Sequence, residues 1–218
     1  TTSCAIRFVR LQREKDARGE SFVFLLNDIP IFARGANWIP GDNFLPRMDA
    51  AHYEKEVGLA RDAGMNMLRV WGGGIYEDDC FYTLCDRFGI LVWQDFMFSC
   101  AEYPDHLDDF REKCRQEAIV SVRRLRNHPC IALWCGNNEN NLGFASWWNR
   151  GQNPEFFGNK LYMVDLPRVV FENAPTVPYW VSSPYSGQEH PNSPNSGDRH
   201  SWEVWSEQKP ISAYLADY

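Results

Sequence analysis

Cys130-Ile131-Ala132-Leu133-Trp134-Cys135-Gly136-Asn137-Asn138-Glu139-Asn140 is an apolar run that breaks abruptly into glycine, three asparagines and one glutamate. An unbroken apolar run is what a parallel strand covered on both faces requires. Its polar tail then stands at the C-terminal end of the strand, where barrel enzymes place their catalytic groups. Glu139 therefore reads as a catalytic acid. Trp134 and the neighbouring amides surround it with low-dielectric walls and neutral partners, so its carboxyl is expected to have a raised pKa, as a general acid needs.

On either side the same unit repeats. Ile31–Trp38, Met65–Trp71, Ile90–Asp95, Pro178–Ser183 and His200–Trp205 read as further strands, the first of them buried. Between them lie helical patterns. Asp49 caps one helix that Gly64 ends, and Asp78 or Asp79 starts a second that Gly89 ends. A long third helix spans about residues 107–126, with Phe110, Cys114, Ala118 and Val122 on one face and Pro129 beyond its end. A fourth covers 160–172, and a last one begins near Pro210.

Strand–helix alternation with apolar strands means a parallel sheet in an α/β fold. Polar or aromatic residues (Asn37, Trp71, Asp95, Glu139, Ser182, Trp202) close every strand, so one rim is decorated all round. That favours a (β/α)8 TIM barrel over a doubly wound sheet, whose site gathers at one switch point. No G-x-G-x-x-G follows a first strand, and Gly72-Gly73-Gly74 has no lysine after it. From Ile31 to Tyr218 there is room for about six βα units, where a full barrel has eight in roughly 250 residues. The expectation is a partial barrel over 29–218, either degenerate or a piece of a longer chain. Before it, residues 1–28 form a β-hairpin leader: Ala5–Leu11 alternates with period two, a charged turn follows, and Asn27-Asp28 ends the second apolar run.

Composition bounds the chemistry. A net charge of −7, with no basic group longer than Arg123-Arg124-Leu125-Arg126, argues against nucleic acid as a partner. An aromatic fraction of 15% suits a cleft for flat, partly apolar rings such as sugars, and equally suits an aromatic core. The seven cysteines form no C-x-x-C pair, so they read as free thiols, which leans towards a reducing compartment such as the cytoplasm. There is no H-E-x-x-H or similar ligand cluster for a metal, no G-x-S-x-G elbow, and no apolar run of membrane-spanning length. At the strand ends Asn37, Asp95, Asn138, His200 and Trp202 are placed to meet hydroxyl groups.

Five blocks in order carry a resemblance: Arg34-Gly35-Ala36-Asn37-Trp38-Ile39-Pro40-Gly41-Asp42, Arg69-Val70-Trp71-Gly72-Gly73-Gly74-Ile75-Tyr76-Glu77, Trp93-Gln94-Asp95-Phe96-Met97-Phe98, Arg126-Asn127-His128-Pro129 leading to Gly136–Asn140, and Gly197-Asp198-Arg199-His200-Ser201-Trp202. Together they resemble the catalytic barrel of β-mannosidases of glycoside hydrolase family 2. The resemblance implies a retaining hydrolase that removes terminal, non-reducing β-D-mannose from β-mannosides or oligosaccharides, and it implies no cofactor. It makes Glu139 the general acid/base and Asn138 the partner of the sugar 2-hydroxyl. Asn37, Trp38 and Asp42 become the first-strand side of the pocket, with Trp71, Asp95 and the segment His200-Ser201-Trp202 as its other walls. Trp147 or Trp148 would border the leaving group, and an upstream β-sandwich would precede the leader. The family's nucleophile is a glutamate on the seventh strand, which this chain does not reach, so the 218 residues alone are expected to be inactive. Other family 2 activities, on β-galactosides or β-glucosaminides, and a non-catalytic carbohydrate-binding module are the competing readings.

Overall fold

Two sheets organise the computed structural model, which describes residues 6–149, 154–187 and 190–215. The first is antiparallel: β1 (Val9–Gln12), β2 (Val23–Leu26) and β3 (Ile29–Ile31), in that order. Asn27 and Asp28 take φ of 51° and 64°, the left-handed conformation a tight hairpin turn requires of its two central residues, and Leu26 pairs directly with Ile29. The leader is thus a three-stranded meander, and a boundary after residue 28 falls inside its second turn.

The second sheet is parallel, with β4 (Gly35–Trp38), β5 (Met67–Val70), β6 (Leu91–Asp95), β7 (Ile131–Cys135) and β8 (Tyr179–Trp180) side by side in chain order. Among the described residues the order never reverses, so no switch point of the doubly wound kind occurs there. The connecting helices are α1 (Ala50–Asp62), α2 (Asp79–Phe88), α3 (Asp108–Leu125), a single turn α4 (Asn140–Leu142) and α5 (Leu166–Asn173). The two expected caps are present: Asp49 accepts from His52 N at 3.0 Å and Asp78 from Cys80 N at 2.8 Å.

Alternation sorts the strand side chains between two cores, and a bulge in β7, where Val92 pairs with Ile131 but Trp93 with Leu133, puts Ile131 and Trp134 on the same face. Leu68, Val70, Val92, Ile131 and Trp134 pack against Tyr53 and Val57 of α1, Phe81 of α2, Val122 of α3 and Leu166 of α5. On the opposite face Met67, Leu91, Trp93, Leu133 and Trp180 meet Val9 and Phe24 of the meander. Phe22 lies 4.9 Å from the Trp180 ring and Arg13 stacks over that ring at 4.8 Å. The meander therefore closes the face of the sheet that the helices leave open. Each fully buried aromatic or aliphatic side chain there contributes about 1.5–3 kcal/mol.

Two strand expectations are corrected. The first strand is not buried: β4 is an edge, and Gly35, Ala36 and Asn37 are exposed. The sixth strand is absent among the described residues. His200–Trp205 instead turns back on itself, with Ser206 N donating to Trp202 O at 2.8 Å and Lys209 N to Glu203 O at 3.1 Å. Five parallel strands are present, not six, and β8 is only two residues long.

Candidate active site

β7 is buried along its whole length and delivers Gly136 to Glu139 at the C-terminal rim of the sheet. Gly136 is obligatory there, since a Cβ would stand 2.3 Å from Val181 O and 2.4 Å from the Tyr179 hydroxyl. The next three side chains have different tasks. Asn137, fully buried, staples the rims of β7 and β8: its Oδ1 accepts from Ser182 Oγ at 2.6 Å and Asn140 N at 3.0 Å, and its Nδ2 donates to Val181 O at 3.1 Å. Asn138 accepts from Arg69 Nη2 at 2.9 Å and donates to Ser99 Oγ at 3.2 Å. Glu139 adopts φ 62°, ψ 7°, a left-handed conformation that costs a non-glycine residue about 1–3 kcal/mol. Its amide donates to Ser183 O at 2.9 Å and helps hold it there.

Glu139 opens into a cavity of about 650 Å³, within the range of small-ligand sites. Asn37, Trp71, Asn138, His200 and Trp202 line it, as do Ile39, Arg69, Cys100, Arg199, Ser201 and Trp205. Glu139 is the one carboxylate among these lining residues. The Glu139 oxygens are well occupied: His200 Nδ1 lies 2.6 Å from Oε1, Trp202 Nε1 donates to Oε1 at 3.4 Å, and Cys100 Sγ is 3.8 Å from Oε2.

Arg69 is the centre of the cavity floor. Its guanidinium donates to Asp95 Oδ2 at 2.8 Å and Asp95 Oδ1 at 3.3 Å, to Asn138 Oδ1 at 2.9 Å and to Asn37 Oδ1 at 3.3 Å. Burial works against its charge, but Asp95, joined by Cys135 and Asp198, holds its pKa above the ordinary arginine value.

The carboxyl of Glu139 departs from the sequence expectation. Burial pushes its pKa up, but the His200 hydrogen bond and charge, with Trp202 and Cys100, leave it lowered below the ordinary 4.5. The two nitrogen donors, His200 and Trp202, come from a loop more than 60 residues downstream, out of reach of any local reading. The folded pKa lies below the unfolded one, so the linked stability is fully present above about pH 4.5 and is lost as the pH falls through the folded value. Glu139→Gln should accordingly flatten the acid side of the melting-temperature profile. An unchanged acid limb would show that the pairing adds nothing to stability.

Three expected wall residues do not line the cavity. Trp38 follows Asn37 in a strand and so points to the opposite face, where Nε1 donates to Glu77 Oε1 at 3.0 Å and the ring packs at a tilt against Phe81, centroids 4.6 Å apart. Asp42 lies in an outer turn, paired with Arg47 at 2.7 Å and accepting from Phe44 N. Asp95 is fully buried beneath the floor, where it also accepts from Gly72 N at 3.0 Å and Trp93 Nε1 at 2.9 Å. Trp147 and Trp148 face each other edge-on at 5.8 Å and are not among the lining residues. Ile39, Arg69, Cys100, Arg199 and Trp205 were missed; for Arg69 the signal was present, a lone charge inside an apolar strand.

Elsewhere Asp86, His128 and Cys130 place ligand atoms within 4.8 Å of one another. They sit at the start of β7, the end away from the cavity. Asp86 is already engaged by His128 Nδ1 at 2.6 Å and Cys130 N at 2.8 Å, so a structural clasp accounts for them. Six free cysteines occur among the described residues. No described helix is long and apolar enough to cross a membrane.

No family model matches this sequence. Among curated proteins it is 41% identical over 210 residues to β-mannosidase B of Aspergillus clavatus, covering 92% of this chain and 25% of that protein. β-Mannosidase B of Aspergillus niger is 40% identical over 215 residues, with 94% and 25% covered. The chain thus spans about a quarter of the length of the curated relatives it matches. Among solved structures, the β-D-mannosidase of Dictyoglomus thermophilum superposes with a TM-score of 0.95 at 53% identity, over 98% of this chain and 26% of that one. β-Glucuronidase 3 of Bacteroides uniformis shares the fold, with a TM-score of 0.65 at 21% identity over 81% of this chain and 21% of that one. The resemblance carried by the five sequence blocks is borne out: the chain is kin to β-mannosidases, which are glycosidases, across nearly all of its own length.

Proposed function

We propose, from its kinship with the β-mannosidases, that this chain is the part of a retaining β-mannosidase barrel that carries the acid/base, with Glu139 in that role. The observation that supports this best is the place of Glu139: at the C-terminal rim of a central parallel strand, as the sole carboxylate among the described residues that line a sugar-sized cavity. The five strands in unbroken order are then part of an eight-stranded barrel, and residues 1–28 join it to an upstream β-sandwich.

In the first step Glu139, protonated, gives its proton to the leaving oxygen while a second carboxylate attacks the anomeric carbon. In the second it takes a proton from the incoming water. Retention requires the two carboxyls about 5–5.5 Å apart. No second carboxylate lines this cavity among the described residues, so the nucleophile is assigned to a strand from the rest of the longer enzyme. A second negative charge at that distance would push the Glu139 pKa upward and offset the pull of His200, giving the acid form that the first step needs. Asn138, held by Arg69 and Ser99, would meet the 2-hydroxyl. Asn37, Trp71, His200 and Trp202 would form the walls, with Trp38, Asp42 and Asp95 supporting them from behind.

The full-length enzyme should hydrolyse p-nitrophenyl β-D-mannoside with kcat/KM at least tenfold above the corresponding β-galactoside, β-glucuronide and β-glucosaminide. Preference for one of the others would move it to another activity of family 2. Binding without turnover of any would leave a carbohydrate-binding module.

A further inference from the structure

The run Gly72-Gly73-Gly74 has no task in the mechanism above, and it directly follows a wall of the cavity, Trp71. It forms a turn: Gly74 N donates to Trp71 O at 3.0 Å, with Gly72 and Gly73 at the two central positions. Neither central glycine has a left-handed φ, so the turn does not need them for conformation. What they supply is room.

The room is used differently at the two positions. A Cβ on Gly72 would stand 2.8 Å from both Phe96 O and Phe98 O, so the backbone beyond β6 closes on the turn from one side. Gly72 N is tied to Asp95 Oδ2 at 3.0 Å, and Trp71 N to Trp38 O at 3.0 Å. These contacts fix the backbone of the turn. At Gly73 the nearest neighbours are ring atoms alone. A Cβ there would stand 2.5 Å or less from Cη2, Cζ3 and Cζ2 of Trp71, three successive carbons at the far end of the indole. Comparable distances to all three place that Cβ over the face of the ring. Trp71 lines the cavity and Gly73 does not, so the indole lies between the glycine and the space for the sugar.

We propose that Gly73 is a positioning residue for the sugar site: its bare Cα is the seat on which the Trp71 indole rests, and it sets how far that wall stands into the cavity. The sugar side of this rests on the reading of the cavity as a β-mannoside site. A methyl group at Gly73 would drive the two apart by about 1 Å or more, to the ~3.5 Å at which carbon atoms meet without repulsion. The turn is held and cannot retreat, so the ring gives way towards the cavity. Gly73 is itself exposed, and a substitution at an exposed position ordinarily costs a fold little. The chain should therefore fold as before while its pocket narrows.

The test uses the full-length enzyme. In a crystal structure of Gly73→Ala the Trp71 ring should stand about 1 Å or more further into the cavity than in the parent. A ring left in place above a displaced turn would overturn the proposal. This measurement uses no substrate, so it stands apart from whether a β-mannoside is the right sugar. With p-nitrophenyl β-D-mannoside, Gly73→Ala should lower kcat/KM by about ten- to a hundredfold, the effect of misplacing the reacting ring by about 1 Å. Trp71→Phe keeps an aromatic wall but ends short of the three carbons that the methyl would meet. In that background Gly73→Ala should cost no more than about twofold. A full loss there, multiplying that of Trp71→Phe, would show Gly73 acting independently of the indole and overturn the proposal. If Gly73→Ala alone fails to fold, the double variant with Trp71→Phe should be recovered folded, because the shorter ring leaves the methyl its room. Failure of both would place the clash elsewhere and likewise overturn it.

Discussion

Glu139→Gln in the full-length enzyme should lower kcat/KM for an alkyl β-mannoside by about 10²–10⁴-fold, the range that general acid–base assistance supplies. Glutamine keeps the volume and can accept from His200 Nδ1 through its amide oxygen, so the pocket should stay formed. It has no proton to give at useful acidity. The loss should depend on the leaving group. With 2,4-dinitrophenolate, which departs without protonation, the first step should be largely spared and the second should limit, because attacking water still needs a base. Azide, a nucleophile that needs no base, should then restore turnover and yield a β-mannosyl azide, retention being the outcome of two inversions. An equal loss for both leaving groups, with no azide effect, would remove Glu139 from the proton-transfer role and leave it a binding residue.

How much of this was legible in the sequence depended on the range of the interaction. The β7 run was read correctly because a strand covered by helices on one side and a hairpin on the other must be apolar at successive positions. The caps at Asp49 and Asp78 were legible because a side chain bonding an amide two or three residues on is a local event. The run Gly35-Ala36-Asn37-Trp38 misled because composition does not distinguish an edge from a centre, which depends on what pairs beside it. His200–Trp205 misled in another way: its alternation fits a strand, but its backbone bonds close locally. Trp38 could have been excluded by alternation alone, since Asn37 and Trp38 cannot both face the cavity. The lowered pKa of Glu139 was not legible at all. It is created by His200, and nothing in residues 130–140 announces that partner.

Arg69→Met should destabilise the protein by about 3–5 kcal/mol, the cost of leaving a buried charge without its partner. Arg69 is 12% exposed and Asp95 not at all, so water cannot replace the lost cation. Asp95 would keep only the Gly72 amide and the Trp93 indole as donors. In a domain of this size the loss should lower the first thermal transition by about 6–20 °C. Methionine is apolar and of similar length, so cavity formation adds little, and the effect isolates the charge. The control is Asp95→Asn in the same background. Removing the stranded carboxylate should return part of the stability, which single variants at independent sites would not do. Arg69→Lys should recover charge but not the fork that reaches Asp95, Asn138 and Asn37 together. It should therefore melt closer to the parent than Arg69→Met while remaining impaired in catalysis, because Asn138 loses the donor that fixes its amide beside Glu139. If Arg69→Met melted within about 1 kcal/mol of the parent, the Arg69–Asp95 pair would contribute little to stability, and the floor of the cavity would be held by its other hydrogen bonds rather than by an ion pair.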